Sequence, residues 1–236
     1  MEFPAPLIPG VLIRRYKRFL ADVELAGGET VTAHCANSGS MLGVNMPGLD
    51  VWLSPANNPK RRLGYTLELV RVNGGLVGVN TGHPNRLVAE AIGSGAISEL
   101  AGYETLRREV RYGRNSRIDL LLETAGRPDC YVEVKNVHMK RGDSPDAPAE
   151  FPDAVTARGA KHLVELSDMV QAGARAVTVF LVQREDCASF RIAEDIDPTY
   201  ATGLARAMDA GVEILVYRCA LSVDQIAVSS RSALEL

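Results

Sequence analysis

The sequence is short of several features that would place it quickly. Its four cysteines, Cys35, Cys130, Cys187 and Cys219, are scattered and form no CxxC pair, which argues against a zinc ribbon or a disulfide framework. Buried free thiols in a reducing, cytoplasmic setting are the expectation. Long apolar runs are missing too. The best, Val177 to Val182, falls far short of the roughly 20 residues that a membrane helix needs. The start, Met1-Glu2-Phe3-Pro4-Ala5-Pro6, lacks the basic opening and apolar run of a signal peptide. There is no internal repeat and no helix-turn-helix pattern with a basic recognition helix. Gly93-Ser94-Gly95 follows a helix rather than a strand and so fails as a dinucleotide fingerprint.

What the chain has is an ordinary globular make-up. Its 236 residues are 46% hydrophobic and 23% charged, close to the usual value of about 25% charged. General disorder is therefore excluded, and a chain of this length buries on the order of 70% of its unfolded surface. The net charge of −3 is unevenly spread. Residues 1–82 carry eight Lys/Arg against six Asp/Glu, a net +2, and residues 83–236 carry eighteen against twenty-three, a net −5. Basic residues cluster. Arg14, Arg15, Lys17 and Arg18 surround Tyr16 and Phe19, and Lys60, Arg61 and Arg62 form a second group. Arg107, Arg108, Arg111, Arg114 and Arg117 form a third. Basic clusters interleaved with aromatics suit a phosphate backbone with stacking bases; a solvated strand face accounts for any one of them alone.

The pattern divides the chain in two. To about Thr81 it reads as all-β, with runs at Val11–Leu25, Thr30–Cys35, Asp50–Ser54, Tyr65–Val72 and Leu76–Val79. Gly27-Gly28 and Asn73-Gly74-Gly75 are turn signals. Five short strands in about eighty residues predict a small barrel or sandwich. The linker is placed at residues 80–85. Beyond it the pattern alternates. A helix spans Leu87 to Ile97 with Asn85 as its cap. Strands follow at Leu106–Tyr112, Arg117–Leu122 and Tyr131–Val137, then a Pro-, Asp- and Gly-rich loop from His138 to Asp153, the one stretch expected to be mobile. A helix at Val155–Val170, a buried strand at Ala176–Val182, a helix at Tyr200–Ala210 and a strand at Val212–Tyr217 complete it. The order αβββαβαβ predicts a mixed sheet flanked by helices. The expected fold is thus α+β with two domains, residues 1–82 and 83–236.

Chemistry concentrates on two neighbouring strands. Asp119 sits among aliphatics in Arg117–Leu122. In Cys130–Val137, Glu133 and Lys135 share one face while Val132 and Val134 take the other. Charges in mid-strand between valines are costly to bury unless paired or bound to metal. If the strands are adjacent, Asp119, Glu133 and Lys135 converge. Two carboxylates suit a hard ion, Mg²⁺ or Mn²⁺, that also takes water and phosphate oxygens, and the lysine offsets charge on a reacting phosphate. An ordinary Glu/Lys pair on a solvated sheet face also fits so short a pattern.

Asp119-x13-Glu133-x-Lys135 resembles the PD-(D/E)xK nuclease signature, with Ile118 in place of its proline. More closely, Ser116-Arg117-Ile118-Asp119, Val132-Glu133-Val134-Lys135-Asn136-Val137 and Phe151-Pro152-Asp153-Ala154-Val155-Thr156 resemble the sugar fermentation stimulation protein A family. Arg158-Gly159, Lys161-His162-Leu163 and the upstream Asn37-Ser38-Gly39-Ser40-Met41 extend the likeness. The resemblance covers nearly the whole chain. It implies an N-terminal OB-fold-like barrel, then an αβββαβ PD-(D/E)xK nuclease-like sheet, and DNA binding with a regulatory role in sugar metabolism proposed for the family. It also implies a third acidic ligand from the first helix, where Glu90 faces either solvent or the metal.

Other candidates remain two-sided. Arg158 and Lys161, three apart on a helix, meet a scissile phosphate or form a surface pair. Asp153 reads as a cap or loop hydrogen-bonder rather than a ligand. His138 and His162 could bind metal, but neither has a partner at ligand spacing. Asn37-Ser38-Gly39-Ser40 cradles a phosphate or is a plain turn. Two functions follow. The first is a Mg²⁺- or Mn²⁺-dependent endonuclease on DNA or RNA, with Asp119, Glu133 and Lys135 as catalytic residues. The second is a non-catalytic DNA-binding regulator of sugar (maltose-type) metabolism genes with a vestigial nuclease domain. Both draw on Arg14, Arg15, Lys17, Arg18, Lys60, Arg61 and Arg62 for phosphate contacts.

Overall fold

The computed structural model describes residues 1–56, 58, 60–144 and 147–235. Its first six strands are β1 (Ile8–Tyr16), β2 (Leu20–Leu25), β3 (Thr30–His34), β4 (Asp50–Pro55), β5 (Tyr65–Val72) and β6 (Gly75–Gly78). They form one sheet in the order β3-β2-β1-β4-β5-β6, closed by a parallel pairing of β3 with β5. Closure removes the exposed edges that a small sheet would otherwise present. The run expected as one strand, Val11–Leu25, is two. The chain reverses at Lys17 (φ 48°) and Arg18 (φ 63°), which take the left-handed conformation without a glycine. No turn residue announced that reversal.

A second six-stranded sheet follows. It is built from β7 (Thr105–Tyr112), β8 (Ser116–Glu123), β9 (Cys130–Val137), β12 (Arg175–Val182), β14 (Glu213–Leu221) and β15 (Ile226–Arg231). Its order is β15-β14-β12-β9-β8-β7. β12 runs parallel to both β9 and β14, and β7, β8 and β15 pair antiparallel, so the sheet is mixed. β12 is central and buried from Ala176 to Val182, as a strand apolar on both faces must be. The fold is α+β, as the sequence predicts.

Three helices cover the sheet. α1 (Pro84–Gly93) lies on one face and α2 (Ala157–Gln171) and α3 (Pro198–Asp209) on the other. α1 begins earlier than expected: Pro84 fills its first turn, where a missing N–H costs nothing, and His83 is the cap residue. Asn85 therefore lies inside the helix, and its side chain is free for another partner. Thr156 caps α2 by accepting from the Gly159 N–H at 3.0 Å. Asp197 caps α3 through the Tyr200 N–H at 2.9 Å and also accepts from the Thr156 N–H at 2.8 Å, which ties the starts of the two helices together.

The stretch expected to be a single loop, His138–Asp153, contributes β10 (Met139–Lys140) and β11 (Ala149–Phe151); its residues 145 and 146 lie outside the described residues. β10 and β11 join β13 (Ser189–Ile192) and β16 (Ala233–Glu235) in a small third sheet. β13, β15 and β16 are too short or too polar to stand out by periodicity. None of the described helices is long and apolar enough to cross a membrane.

Barrel and second sheet are joined by backbone pairing. The Gly78 N–H donates to the Gln183 carbonyl at 2.9 Å, the Glu185 N–H to the Leu76 carbonyl at 3.2 Å, and Val77 bridges Arg184. A Cβ on Gly78 would come within 2.9 Å of Gln183 Oε1, so glycine permits the approach. Arg184, 2% exposed, completes the joint. Its guanidinium donates to both oxygens of Asp186 at 2.7 and 2.8 Å and to the His138 carbonyl at 2.6 Å. Removing one member of a buried pair costs up to about 3–5 kcal/mol; Lys140, 3.5 Å from Asp186 Oδ2, stays beside that carboxylate and holds the cost to the lower end. Arg184→Ala is expected to lower unfolding stability by about 3 kcal/mol in urea titration. Arg184→Lys should recover only part of it, because an ammonium cannot hold both carboxylate oxygens in a planar fork.

Candidate active site

The ladder between β8 and β9 pairs Leu122 with Cys130, Leu121 with Tyr131 and Leu120 with Val132, and then stops. Asp119 is the next residue of β8, at the point where the strands part. Its side chain replaces the missing ladder bond: Oδ2 accepts from the Val134 N–H at 2.8 Å. Oδ1 accepts from Asn85 Nδ2 at 2.8 Å, so α1 reaches the site through an amide and not a carboxylate. Burial and the nearby Glu133 charge push the Asp119 carboxyl up to about 6, against the pull of the Val134, Asn85 and Lys135 partners.

Glu133 lies on β9 in the middle of the sheet, 3% exposed. One oxygen, Oε1, accepts from Lys135 Nζ at 2.7 Å and from His162 Nδ1 on α2. The other, Oε2, is buried with no hydrogen-bond partner among the described residues. Burial would raise the Glu133 carboxyl, but the His162 bond and the Lys135 charge outweigh it and hold it below the ordinary value. Around Glu133 stand further buried oxygens without a hydrogen-bond partner among the described residues, the hydroxyls of Tyr112, Tyr200 and Thr178. Burial and the Glu133 charge both push the two tyrosines up. Thr178 is the register partner of Glu133 on β12.

Asp119, Glu133 and Lys135 thus come together as expected. Glu90 does not join them. Five residues on from Asn85, it projects from a different face of α1, since each helical residue turns about 100°. Its carboxylate is held by the Met1 amino group at 2.9 Å and by Arg86 at 2.7 Å. The third acidic ligand expected from α1 is therefore replaced at the site by Asn85. Among the described residues no group of three or more His, Cys, Asp or Glu is arranged to hold a metal. What the site offers is two carboxylates, one with a buried, unpartnered oxygen. That suits an ion that takes one or two carboxylates and completes its shell with water and phosphate.

The other candidates scatter. Arg158 Nε donates to His162 Nε2 at 3.3 Å, one step behind Glu133. Lys161 turns away, to the Arg114 carbonyl at 2.9 Å, Ser116 Oγ at 3.1 Å and Glu165 at 3.4 Å. The two share no common partner. Asp153 is a loop hydrogen-bonder: it accepts from the Ser40 N–H at 2.9 Å and stands 3.7 Å from His138 Nε2. Asn37-Ser38-Gly39-Ser40 is a turn, with Asn37 Oδ1 accepting from the Gly39 N–H at 2.8 Å.

That turn consumes part of the first basic cluster. Arg15 donates to the carbonyls of Asn37 and Gly39 at 2.9 and 3.0 Å, and Arg18 to that of Ser38 at 3.0 Å. Arg14 pairs with Asp22 at 2.8 Å and covers the Tyr16 ring. Lys17, Arg61 and Arg62 have no ion pair among the described residues; with Tyr16, Leu20 and His34 they line a concavity of about 690 Å³ on the barrel. Lys60 lies beside it in sequence, its N–H bonded to Asn58 Oδ1 at 2.9 Å. The sequence marked Asn85 as a helix cap and His162 as a histidine without a partner at ligand spacing; their carboxylate partners were not legible, because each contact spans at least 29 residues of chain, beyond any local spacing rule.

A small closed barrel packed against a mixed sheet that carries an Asp…Glu-x-Lys set defines a two-domain protein of the OB-plus-nuclease-like class. Two family models match: "SfsA N-terminal OB domain" over residues 13–79 and "Sugar fermentation stimulation protein RE domain" over residues 82–225. The chain is 61% identical over 236 residues to a sugar fermentation stimulation protein homolog of Paramagnetospirillum magneticum, covering 100% of this chain and 98% of that one. To the Rhodospirillum centenum homolog it is 64% identical over 228 residues, 97% of each chain. A solved structure, Pyrococcus furiosus SfsA in complex with Ca²⁺, is 26% identical with a TM-score of 0.89, covering 100% of this chain and 98% of that one. The chain belongs to the sugar fermentation stimulation protein family.

The raised Asp119 pKa has a consequence for stability. Between its unfolded value of 3.8 and its folded value of about 6, the folded state keeps a proton that the unfolded chain has lost. This group's contribution to stability therefore falls as pH rises through that window. The stability advantage of the metal-free protein over its Asp119→Ala variant should shrink, by on the order of 3 kcal/mol, from below pH 4 to above pH 6. Urea titrations of both proteins across that range provide the measurement.

Proposed function

We propose that this protein is a divalent-metal-dependent phosphodiesterase acting on nucleic acid, with Asp119 and Glu133 as metal ligands and Lys135 as the catalytic cation. The observation that carries the reading is the state of Glu133. It is a carboxylate inside a central strand, with one oxygen fully engaged and the other buried and free, beside a second carboxylate held at the point where two strands part. A sheet needs no such arrangement, and each buried charge costs stability unless it is answered. The Ca²⁺ bound by the Pyrococcus relative supports a divalent ion for this fold.

When bound, a cation of the Mg²⁺ or Mn²⁺ type supplies charge neutralisation at a phosphate and a lowered pKa for water. The chain supplies the rest. Asp119 enters as a carboxylate above about pH 6, held in orientation by Asn85 and the Val134 N–H. Lys135, 13% exposed at its side chain, stands between Glu133 and solvent. Its ammonium places positive charge where the phosphoryl oxygens gain negative charge in the transition state. The barrel provides the grip. Lys17, Arg61 and Arg62 meet phosphates in the concavity that Tyr16 and His34 also line.

Two outcomes are expected. With Mg²⁺ or Mn²⁺, against EDTA, the protein should cut at least one of duplex, single-stranded or branched DNA or RNA. Lys135→Ala should slow that cutting by about 10²–10³-fold while binding DNA nearly as well. Cleavage that survives in Lys135→Ala, Asp119→Asn and Glu133→Gln alike marks a contaminating enzyme. No cleavage of any substrate with either ion returns the chain to a DNA-binding regulator. Binding itself has a separate check. Replacing Lys17, Arg61 and Arg62 together should weaken all sequences alike and flatten the log–log salt slope by about 0.9 per lost phosphate contact on duplex DNA. A gel-shift titration across salt measures it.

A further inference from the structure

We infer that His162 is a positioning residue for the metal-binding carboxylate: its Nδ1–H fixes Glu133 through Oε1, so that Oε2 faces the cation and Lys135 is free to leave for the phosphate. This rests on the phosphodiesterase reading and adds a residue to it.

A guanidinium can only donate, so Arg158 Nε at 3.3 Å makes His162 Nε2 an acceptor. The ring hydrogen of a neutral imidazole then sits on Nδ1, which contacts Glu133 Oε1. His162 therefore donates to the carboxylate. Arg158, Nε2, Nδ1 and Oε1 form one directed chain from α2 to β9. The ring is 5% exposed and the carboxylate 3%, so water does not substitute for either partner.

Next comes the division of labour on Glu133. Both donors, His162 and Lys135, fall on Oε1, and Oε2 has none among the described residues. A carboxylate held by one edge presents the other in a defined direction. Were Lys135 the only donor, its departure toward a reacting phosphate would leave Oε1 bare and the carboxylate free to rotate. With His162 in place, Oε1 keeps a donor throughout. Ligating carboxylates are commonly held in this way by a neighbour, and loss of such a neighbour typically costs 10–100-fold in metal affinity.

The position of His162 is itself determined. α2 is anchored by the Thr156 cap and by Gly159. A Cβ on Gly159 would come 2.8 Å from Thr156 Oγ1 and 3.1 Å from the Tyr200 ring, so the first turn packs too closely for any other residue. His162 follows one turn later on the face that meets β9.

The test is calorimetric titration of Mn²⁺ into the metal-free wild type and the variants His162→Gln and His162→Asn. An asparagine amide nitrogen sits about where Nδ1 does; that of glutamine reaches toward Nε2. His162→Gln should bind Mn²⁺ 10–100-fold more weakly, and His162→Asn should return to within a few-fold of wild type. A purely structural role would not be rescued by position in this way. Equal affinity in all three proteins, or an asparagine variant as weak as the glutamine one, overturns the inference and leaves the metal site standing. Wild type that takes up no Mn²⁺ overturns the metal site as well. A second measurement needs no variant: ¹⁵N NMR of the wild-type imidazole should show the hydrogen on Nδ1, and a hydrogen on Nε2 alone overturns the assignment.

Discussion

Burying the Glu133 carboxylate in the middle of a β-sheet is the constraint on which the second half of this chain depends. Without partners such a charge would take up a proton or unfold the strand. The chain answers with a lysine two residues along the same strand and a histidine brought in on α2. That answer sets much else. α2 must lie against β9 at one register, which explains its tight first turn and the shared Asp197 that binds its start to α3. Asp119 faces the same problem and meets it differently. It sits where β8 and β9 part and takes over a backbone N–H that the ladder has given up.

The barrel is a working part of the same body. Its last strand pairs with the segment after β12, its Ser40 bonds Asp153, and its buried Glu68 accepts from His83 at 2.7 Å at the entrance to α1. Glu68 also takes Ser54 at 2.6 Å and Asn80 at 2.8 Å. Burial opposes its charge, but the His83 contact and these two bonds hold its carboxyl below the ordinary value. Because α1 carries Asn85, which holds Asp119, the barrel and the Asp119–Glu133 pair are connected through one short helix. Basic residues are divided by the same logic. Arg15 and Arg18 keep the Asn37–Ser40 turn in shape. Lys17, Arg61 and Arg62, without acidic partners among the described residues, leave a positively charged concavity on the barrel.

Much of this was legible in the chain alone, and the limits have physical causes. The aliphatic alternation around Asp119 and Glu133, the run from Ala176 to Val182, and the turn glycines specify strands through short-range sterics and a two-residue period. They place the Asp, Glu and Lys on adjacent strands, and the all-β and mixed portions in their order. The reversal at Lys17 and Arg18 was not legible, because residues without turn propensity occupy the left-handed region there. Nor were β13 and β16, whose partners are distant in sequence, or β15, a largely polar strand that pairs in a hairpin with β14.

The side-chain partners divide in the same way. Sequence by itself determined which charges lie inside strands, because alternation with valine and leucine decides the face. Only the tertiary structure decided who answers them. Glu90, the acidic residue on the first helix, went to the chain's own amino group and Arg86. Asn85 and His162 took the two carboxylates instead. A helix start shifted by a few residues turns a different side chain toward the sheet, since each residue rotates by about 100°. The contact between α2 and β9 is fixed by packing across 29 residues of chain. Hydrogen-bond partners at that separation are set by how helices seat on a sheet, and no local pattern records it.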